Sequence, residues 1–553
     1  MSLLQNVLRF LPGLRLRARR FVADARIWQL TRQVLAHRRL NAQAPVVFFN
    51  ASTRLNGVSQ NAAFSLLASL GLQLAGVPVV HFACHAGMSR CVLGAAYFDP
   101  TQAPPCKNCI AQTRPLLLNG PVIPFRSEPN PGLVAALQGR GVDEMAGFCW
   151  PVADLGVSPS AISQLPSEIP LGALVLPTLR WVLRRHHLND DAPTRALFRE
   201  FIVSAASVAR HFDALLVEVQ PQAVIVFNGQ FFPEATARWL AGARGVRAIS
   251  HEVGLRPFTA FFTEGEATAY PLDIPDDFEL DEAQSARLDE YLSQRFQGQF
   301  SMAGVRFWSG MSGLDEAFLA RAAGFKQIVP VFTNVIFDTS QPHSNVVFAH
   351  MFAWLDLVLD LASRNPETLF VLRAHPDETR PGKESHESVA QWVQANRAAD
   401  LPNVVFIDSR QTLSSYDLIR RSKFVMIYNS TIGLEASILG AAVLCGGRAR
   451  FTQLPTVFFP QTVDDYRRQA EAFLAAERIA VPAEFERNAR RFLYVQLFLS
   501  SLPFEEFIEE DGIWPGFVRL KPFPWERLRP EHSPAMQAIV DGVLHGGNFL
   551  LKP

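Results

Sequence analysis

The chain has 553 residues, of which 48% are hydrophobic and 19% are charged, and its formal net charge is zero. This balance is typical of a globular protein with more than one domain, and it excludes global disorder. It gives no reason to expect a nucleic-acid partner. No stretch approaches the roughly 18 uninterrupted apolar residues of a membrane-spanning helix, and the N-terminus lacks the apolar segment of a signal peptide. We therefore expect a cytoplasmic protein.

Residues 1–40 differ from the rest because arginines are interleaved with apolar residues and Asp24 is the one acid among them. A basic amphipathic segment of this kind can lie on an anionic membrane, which predicts peripheral contact with the inner face of the cytoplasmic membrane. The alternative is a helix that packs on the following domain through its apolar side. The arginines are Arg9, Arg15, Arg17, Arg19, Arg20, Arg26, Arg32, Arg38 and Arg39.

From residue 41 onward, short apolar runs alternate with segments of helical periodicity, which predicts an α/β protein with two doubly wound parallel sheets. A more polar helical stretch separates the two series of strands. The predicted organisation is a basic segment (1–40), a first Rossmann-like domain (41–265) containing a cysteine cluster (84–109), a helical connector (266–326), a second Rossmann-like domain (327–480) and a helical tail (481–553).

Polar residues follow several predicted strands of the second half, and the carboxyl ends of parallel strands are where ligands bind in such sheets. The candidate ligand-binding residues at these strand ends are Asn334, Arg373, His375, Pro376, Asn429, Ser430 and Thr431. Backbone N–H groups where a strand turns into a helix favour an anion such as phosphate, which suggests a role for Ser430 and Thr431. His375 is either part of this site or structural.

Glu435 is the one charged residue in "YNSTIGLEASILG" (residues 428–440). An unpaired carboxylate in apolar surroundings is strongly unfavourable. We therefore expect Glu435 to face a ligand and to accept hydrogen bonds from hydroxyls such as a ribose diol. The alternative is an ion pair with a nearby arginine, for which the candidates are Arg373, Arg420 and Arg448.

The segments "FTNVIFD", "LRAHPDE", "LSSYDLI", "YNSTIGLEASILG" and "AAVLCGG" resemble the capsule polysaccharide biosynthesis family. The resemblance covers about residues 328–450, and "VFNGQFFPEATARWLAGARGVRAISHEVGLRP" in the first half is similar to the acceptor-side domain of surface-glycan transferases. The His375–Pro376 pair looks like the one that sialyl- and Kdo-type transferases use near a CMP-sugar. The resemblance implies a GT-B-like fold, with two Rossmann-like domains facing a central cleft.

The resemblance also implies transfer of a sugar from a nucleotide-sugar donor to a polysaccharide or lipid-linked glycan acceptor, with no obligatory metal in catalysis. In that reading Ser430 and Thr431 bind phosphate, Glu435 binds the ribose, and His375 contacts the phosphate or the leaving group. Either His251 or Glu252 is the general base on the acceptor side, beside Asn228 and Gly229, unless the pair is a polar strand cap. Two alternatives stay open, a sugar-nucleotide epimerase of the same fold and a non-catalytic scaffold in a glycan assembly complex.

Cysteines are concentrated in "CHAGMSRCVLGAAYFDPTQAPPCKNC", which holds Cys84, Cys91, Cys106 and Cys109. The final C-x2-C spacing suits a metal ion, and disulfides are disfavoured in the cytoplasm, so the spacing predicts a structural zinc site. An iron–sulfur cluster and a set of reduced thiols are the alternatives. Cys149 and Cys445 are predicted to lie in the core.

Overall fold

The computed structural model describes residues 3–50, 57–94, 102–128, 130–156, 165–297, 313–513 and 516–552, except for the side chains of residues 3–18. The chain forms two compact units. The first unit comprises Met1–Val182, Asn189–Thr268 and Leu499–Pro553, and the second comprises Leu183–Leu188 and Ala269–Phe498. The predicted connector, 266–326, therefore falls almost wholly in the second unit, and the predicted tail, 481–553, is divided between the two.

The first unit is built on a seven-stranded sheet in which four successive pairings are parallel. An antiparallel hairpin between Arg247–Val253 and Thr259–Glu264 extends this parallel set. Counting its main strands along the chain, the sheet order is 3-2-1-4-5-6, the order of a Rossmann fold. A short strand from the tail pairs antiparallel at the edge. In sheet order the strands are Val122–Phe125, Val79–Cys84, Val46–Asn50, Ala223–Phe227, Arg247–Val253, Thr259–Glu264 and Leu502–Pro503.

Helices of this unit begin where the sequence places side-chain caps. Ser59 accepts a hydrogen bond from the backbone N–H of Ala62, and Asp191 accepts one from Thr194, as expected for N-cap residues. The helices are Leu3–His37, Gln60–Leu74, Cys106–Thr113, Pro131–Ala136, Val142–Ala146, Leu171–Leu183, Ala192–Val219, Glu234–Ala243 and Pro534–His545. Minor strands are Val58–Ser59, Trp150–Pro151, Glu168–Ile169, Ile508–Glu510 and Phe517–Leu520.

The helix Leu3–His37 packs on the first unit through its C-terminal half. Ile27, Leu30 and Val34 recur at helical spacing and are buried in the same apolar cluster as the helix Gln60–Leu74. On its other side, Phe21 and Trp28 are 75% and 50% exposed. The interpretation as a packed helix is therefore correct for this half, while the exposed aromatic residues leave a free apolar face beside the arginines.

The second unit is built on a five-stranded sheet in which every pairing is parallel. Counted along the chain, its order is 3-2-1-4-5, again the order of a Rossmann fold. All five strands lie where the alternation of apolar runs predicts them. In sheet order they are Val404–Ile407, Thr368–Arg373, Gln327–Phe332, Val425–Ile427 and Val443–Cys445.

The helices of the second unit connect these strands and extend beyond them. Ser414 caps the helix that follows it, accepting a hydrogen bond from the backbone N–H of Asp417 at 3.2 Å. The helices are Glu282–Phe296, Glu316–Ala322, Gln341–Ser344, Met351–Arg364, Val389–Ala395, Ser415–Arg420, Ile432–Ile438, Val463–Ala475 and Ala483–Tyr494.

Both units therefore have the predicted α/β fold. In the main sheet of the first unit, three strands were not predicted: Val122–Phe125, Thr259–Glu264 and Leu502–Pro503. All three lie on the flanks of the sheet, where short segments next to prolines carry a weak pattern. Within the described part of the chain, the length and apolar character that a bilayer-spanning helix needs are found in no helix. The arrangement of the two domains about a cleft stays a prediction.

Candidate functional site

The polar residues of the second unit converge where its strand order reverses. The strands Gln327–Phe332 and Val425–Ile427 are neighbours there, and they run in the same direction. Asn334 follows the first strand and Asn429 follows the second, and the Asn334 side-chain amide donates a hydrogen bond to Asn429 Oδ1 at 2.7 Å. This reversal is the usual ligand position in an open α/β sheet. The fold thus brings together two residues that the sequence predicts for one site.

Two serines that were not predicted as site residues, Ser340 and Ser344, also contact Asn429. The Asn429 amide donates to Ser344 Oγ at 2.6 Å and to Ser340 Oγ at 3.0 Å. Ser344 also donates to the backbone carbonyl of Arg448 at 2.8 Å, which ties the group to the loop after the last strand. The polar run "TSQPHS" (residues 339–344), which follows the first strand, is the sequence feature from which these serines could have been predicted. These bonds orient Asn429 before any ligand binds.

The neighbouring strand, Thr368–Arg373, delivers a cation and an imidazole to the same edge. Arg373 is 5% exposed, and burial lowers its pKa to about 10. Thr333 donates a hydrogen bond to the Arg373 carbonyl at 2.9 Å, which joins this strand end to the one that carries Asn334. A buried guanidinium at the carboxyl edge of a sheet is stabilised most by an anion.

His375 has a defined hydrogen-bonding state. Its Nδ1 accepts a hydrogen bond from the backbone N–H of Asp377 at 3.1 Å, which caps the short turn Pro376–Thr379. Burial lowers the pKa of His375, against an opposing effect of the nearby Asp377 and Asp338 carboxylates. The ring is therefore neutral near pH 7, with Nδ1 occupied as an acceptor, so its proton resides on Nε2. That N–H is suited to donate to a phosphate oxygen.

Glu378, three residues after His375, is 2% exposed and accepts a hydrogen bond from the backbone N–H of Val389 at 3.0 Å. Burial raises its pKa to about 8, and the nearby Asp408 carboxylate adds to the rise. The sequence places Glu378 in the segment "HPDE" beside His375, but it gives no sign that the Glu378 side chain is buried. Glu378 fixes the segment that leads from His375 to the helix Val389–Ala395.

The contacts of Glu435 differ from the predicted ones. Both of its carboxylate oxygens are engaged inside the second unit: Arg295 Nε donates to Oε1 at 2.6 Å, and Tyr416 Oη donates to Oε2 at 2.5 Å. Glu435 is 3% exposed and Arg295 is 6% exposed. The expectation of an unpaired carboxylate directed at a ligand is therefore wrong, and none of the three arginines considered as alternatives is its partner.

The contacts with Glu435 determine the protonation states of Arg295 and Tyr416. Burial opposes the charge of Arg295, but the Glu435 carboxylate outweighs it and raises the Arg295 pKa. Burial and the same carboxylate raise the pKa of Tyr416. The tyrosine thus stays protonated and donates, while the arginine stays charged. Glu435 links the helices Glu282–Phe296, Ser415–Arg420 and Ile432–Ile438.

Ser430 and Thr431 lie between the strand Val425–Ile427 and the helix Ile432–Ile438. Ser430 is buried, and the Thr431 side chain makes no capping hydrogen bond to its own helix. Gly433 lets this turn approach the sheet, since a Cβ there would lie 2.2 Å from Ile427 Cδ1. The turn is thereby held against the strand that carries Asn429, as the sequence predicts.

The first unit has a polar group of its own at the reversal of its strand order. Glu252 accepts hydrogen bonds from the side chains of Asn61 and Asn228, both at 3.0 Å, and from the backbone N–H of Val253 at 2.8 Å. Asn228 and Glu252 were predicted for this edge, with Gly229 beside them. Asn61, at the start of the helix Gln60–Leu74, was not predicted, because its sequence position gives no sign of this contact.

His251 and Glu252 differ in access. His251 is 2% exposed, its Nδ1 lies 3.3 Å from Asn61 Oδ1, and burial lowers its pKa to about 3. An enclosed imidazole whose pKa is this low is a weak proton acceptor at neutral pH, which argues against His251 as a general base. Glu252 is half-buried. The geometry thus leaves Glu252 as the candidate base.

The predicted zinc site is not preassembled. Within the described residues, no set of three or more histidine, cysteine, aspartate or glutamate side chains is arranged to hold a metal ion. Cys84, Cys91, Cys106 and Cys109 are all free thiols. Of the other two cysteines, Cys445 is buried as predicted, whereas Cys149 is exposed, which corrects its assignment to the core.

Comparison with known proteins supports the assignment of the second unit. Residues 325–472 match the family described as capsule polysaccharide biosynthesis protein. The match spans the sheet of this unit and all of its candidate ligand-binding residues. It confirms the resemblance noted above for about residues 328–450. No significant match to a curated protein is found.

Solved structures give weaker similarities. Two Thermosulfurimonas dismutans KpsC structures, a β Kdo 2,4 transferase and a β Kdo 2,7 transferase, align with TM-scores of 0.33 and 0.31 at 12% and 13% identity, covering 50% and 56% of this chain and 80% and 85% of theirs. A UDP-GlcNAc 2-epimerase from Neisseria meningitidis, bound to UDP-GlcNAc, aligns at 0.23 and 10% identity, covering 81% of this chain and 94% of its own. Similarities this low carry no argument about function.

Proposed function

We propose that this protein is a glycosyltransferase that moves a sugar from a nucleotide-sugar donor to a growing capsule or other surface glycan. The observation that carries the proposal is the convergence of Arg373, His375, Asn334 and Asn429 at one edge of a parallel sheet, inside the region that matches the capsule polysaccharide biosynthesis family. A cation, a neutral N–H donor and oriented amides suit a phosphorylated, hydroxyl-rich ligand.

Each residue has a role in this proposal. Arg373 and the Nε2–H of His375 meet the negative charge of the donor's phosphates, and Ser430 and Thr431 supply hydroxyl and backbone N–H donors beside them. Asn334 and Asn429 hydrogen-bond the sugar or nucleoside hydroxyls. Glu435 is reassigned: it positions the helix Ile432–Ile438 through its ion pair with Arg295, rather than binding the ribose itself.

The reaction forms a bond between the acceptor oxygen and the anomeric carbon of the donor and breaks the bond from that carbon to the phosphate oxygen. The nucleotide leaves with the electron pair, and its charge is stabilised by Arg373 and His375. The acceptor hydroxyl proton passes to Glu252, whose carboxylate is oriented by Asn61 and Asn228. No step in this scheme requires a metal ion.

We also propose that the acceptor is presented at an anionic bilayer surface. The helix Leu3–His37 exposes Phe21 and Trp28 next to Arg19 and Arg20, which are themselves exposed. Aromatic side chains flanked by arginines are suited to the boundary between headgroups and acyl chains. Such contact would place the enzyme at the cytoplasmic face of the membrane, beside a lipid-linked glycan.

Nucleotide binding tests the donor site. Thermal shifts with CMP, UDP, GDP, dTDP and ADP should identify one nucleotide that stabilises the wild-type protein. His375→Ala and Asn334→Ala should weaken its binding by about ten- to hundredfold, because each removes a hydrogen bond to a charged or buried group. Asn396→Ala, an exposed change in the same unit, is the matched control and should bind normally.

Turnover distinguishes the three classes of function. A transferase releases nucleotide from the matching nucleotide sugar only when a glycan acceptor is present. Conversion of the donor to its epimer without acceptor would establish the epimerase instead. Absence of both binding and turnover across the panel would reject an enzymatic role and favour a scaffold.

A further inference from the structure

Four cysteines of the first unit surround one small cavity. Cys84, Cys91, Cys106 and Cys109 all line it, and its volume is about 30 Å³. The remaining lining side chains among the described residues are apolar or proline, including Met88 and Ile110. The cavity is therefore an apolar pocket whose main chemical functionality is four thiols.

The fold brings these thiols together from three segments. Cys84 is the last residue of the strand Val79–Cys84, at the carboxyl edge of the sheet. Cys106 opens the helix Cys106–Thr113, and Cys109 lies one turn later on the same face. Cys91 comes from the turn between them, where Gly94 lets the chain pass Pro104, since a Cβ at Gly94 would lie 2.6 Å from the Pro104 Cβ.

A backbone N–H group already points at one of the sulfur atoms. Gly87 N–H donates to Cys84 Sγ at 3.3 Å, and Gly94 N–H donates to the backbone carbonyl of Cys91 at 2.9 Å, which closes the turn that carries this cysteine. Hydrogen bonds from N–H groups to sulfur are typical of thiolate ligands in zinc and iron–sulfur sites, where they offset the negative charge on sulfur. The start of the helix Cys106–Thr113 adds a positive dipole end beside Cys106.

A thiophilic metal ion binds cysteines as thiolates, because its positive charge compensates theirs and the thiol protons are released on binding. A cysteine side chain turns about a single bond, so the four thiols that line this cavity can converge on one ion.

We infer that Cys84, Cys91, Cys106 and Cys109 bind a tetrathiolate metal centre with a structural role in the first unit. Binding forms four metal–sulfur bonds and releases the four thiol protons to solvent, with no change in the oxidation state of sulfur. Four thiolates leave no open coordination position, so the centre stabilises the cysteine segments and takes no part in sugar transfer. The inference is independent of the proposed transferase activity.

Metal analysis of the purified full-length chain is the test. Protein produced in zinc- and iron-replete medium and purified without chelators or oxygen is analysed for both metals and for acid-labile sulfide. About one zinc ion per chain indicates a mononuclear site, whereas about four iron atoms with sulfide and absorption near 400 nm indicate a cluster. Either result supports the centre, and the absence of stoichiometric metal overturns it.

Variants assign the ligands. Cys106→Ser/Cys109→Ser should lose the metal, whereas Cys149→Ser, a change at an exposed thiol of the same unit, should retain all of it. Full metal retention in the double variant would overturn the assignment.

A measurement on the wild-type protein covers the case in which the double variant does not fold. Iodoacetamide labelling mapped by mass spectrometry should modify Cys149 at once and the four proposed ligands only after a chelator removes the metal. If a chelator leaves their labelling rate unchanged, the thiols are merely buried and the inference fails.

Discussion

Replacement of Glu435 separates a structural role from a ligand-binding role. Glu435→Ala leaves the Arg295 guanidinium buried without its carboxylate, and it removes the acceptor of the Tyr416 hydroxyl. Breaking a buried ion pair from one side costs about 3–5 kcal/mol, because the remaining charge is no longer compensated. Loss of the tyrosine hydrogen bond contributes about 1 kcal/mol within that figure. We expect the second unit to be destabilised by about this amount.

The measurement is urea denaturation followed by tryptophan fluorescence and circular dichroism. Asp400→Ala is the matched control, since it removes an exposed ion pair with Arg397 and should cost less than about 1 kcal/mol. Arg295→Met, Glu435→Leu and their combination form a double-mutant cycle with the wild type, and the double variant should be more stable than the sum of these two single changes implies.

The opposite pattern would refute this account. If Glu435→Ala unfolds at the wild-type urea concentration and loses affinity for the stabilising nucleotide, then Glu435 binds the ligand and the Arg295 pair is replaceable. If the double-mutant cycle shows strict additivity, the two side chains do not stabilise one another in solution.

Three further outcomes are expected. Burial raises the Glu378 pKa from 4.5 to about 8, so the folded state prefers the neutral acid, and the stability that it contributes is lost as pH rises from about 4.5 through 8. The stability of Glu378→Gln relative to wild type should therefore increase by about 3–5 kcal/mol between pH 5 and pH 9, and a pH-independent difference in urea midpoints would contradict this. Glu252→Gln should lower kcat by about 10²–10⁴ without changing nucleotide affinity, whereas His251→Leu should lower the melting temperature and leave the pH profile of kcat unchanged; the reverse assignment would make His251 the base. Phe21→Ser/Trp28→Ser should reduce cosedimentation with phosphatidylglycerol vesicles by about tenfold or more relative to Val463→Ser, and equal sedimentation of the two would reject membrane contact through this helix.

Local sequence patterns were sufficient for the secondary structure and for part of the site. Buried parallel strands are continuous apolar runs, so "VVFF", "AVIVF" and "TLFVL" were recognisable without any tertiary information. Because carboxyl ends of parallel strands share one edge, the residues that follow those runs were also predictable as neighbours. The contact between Asn334 and Asn429 is an example of this rule.

The tertiary structure alone decided which polar residues are engaged inside the protein. Arg295 and Glu435 are 140 positions apart, and nothing in either local pattern indicates their pairing. His251 and Glu252 are adjacent in a strand, but successive side chains point to opposite faces, so one is enclosed and the other reaches the edge. Apolar periodicity is a local property that the sequence by itself determines, whereas charge pairing and burial depend on distant segments that meet only in the folded chain.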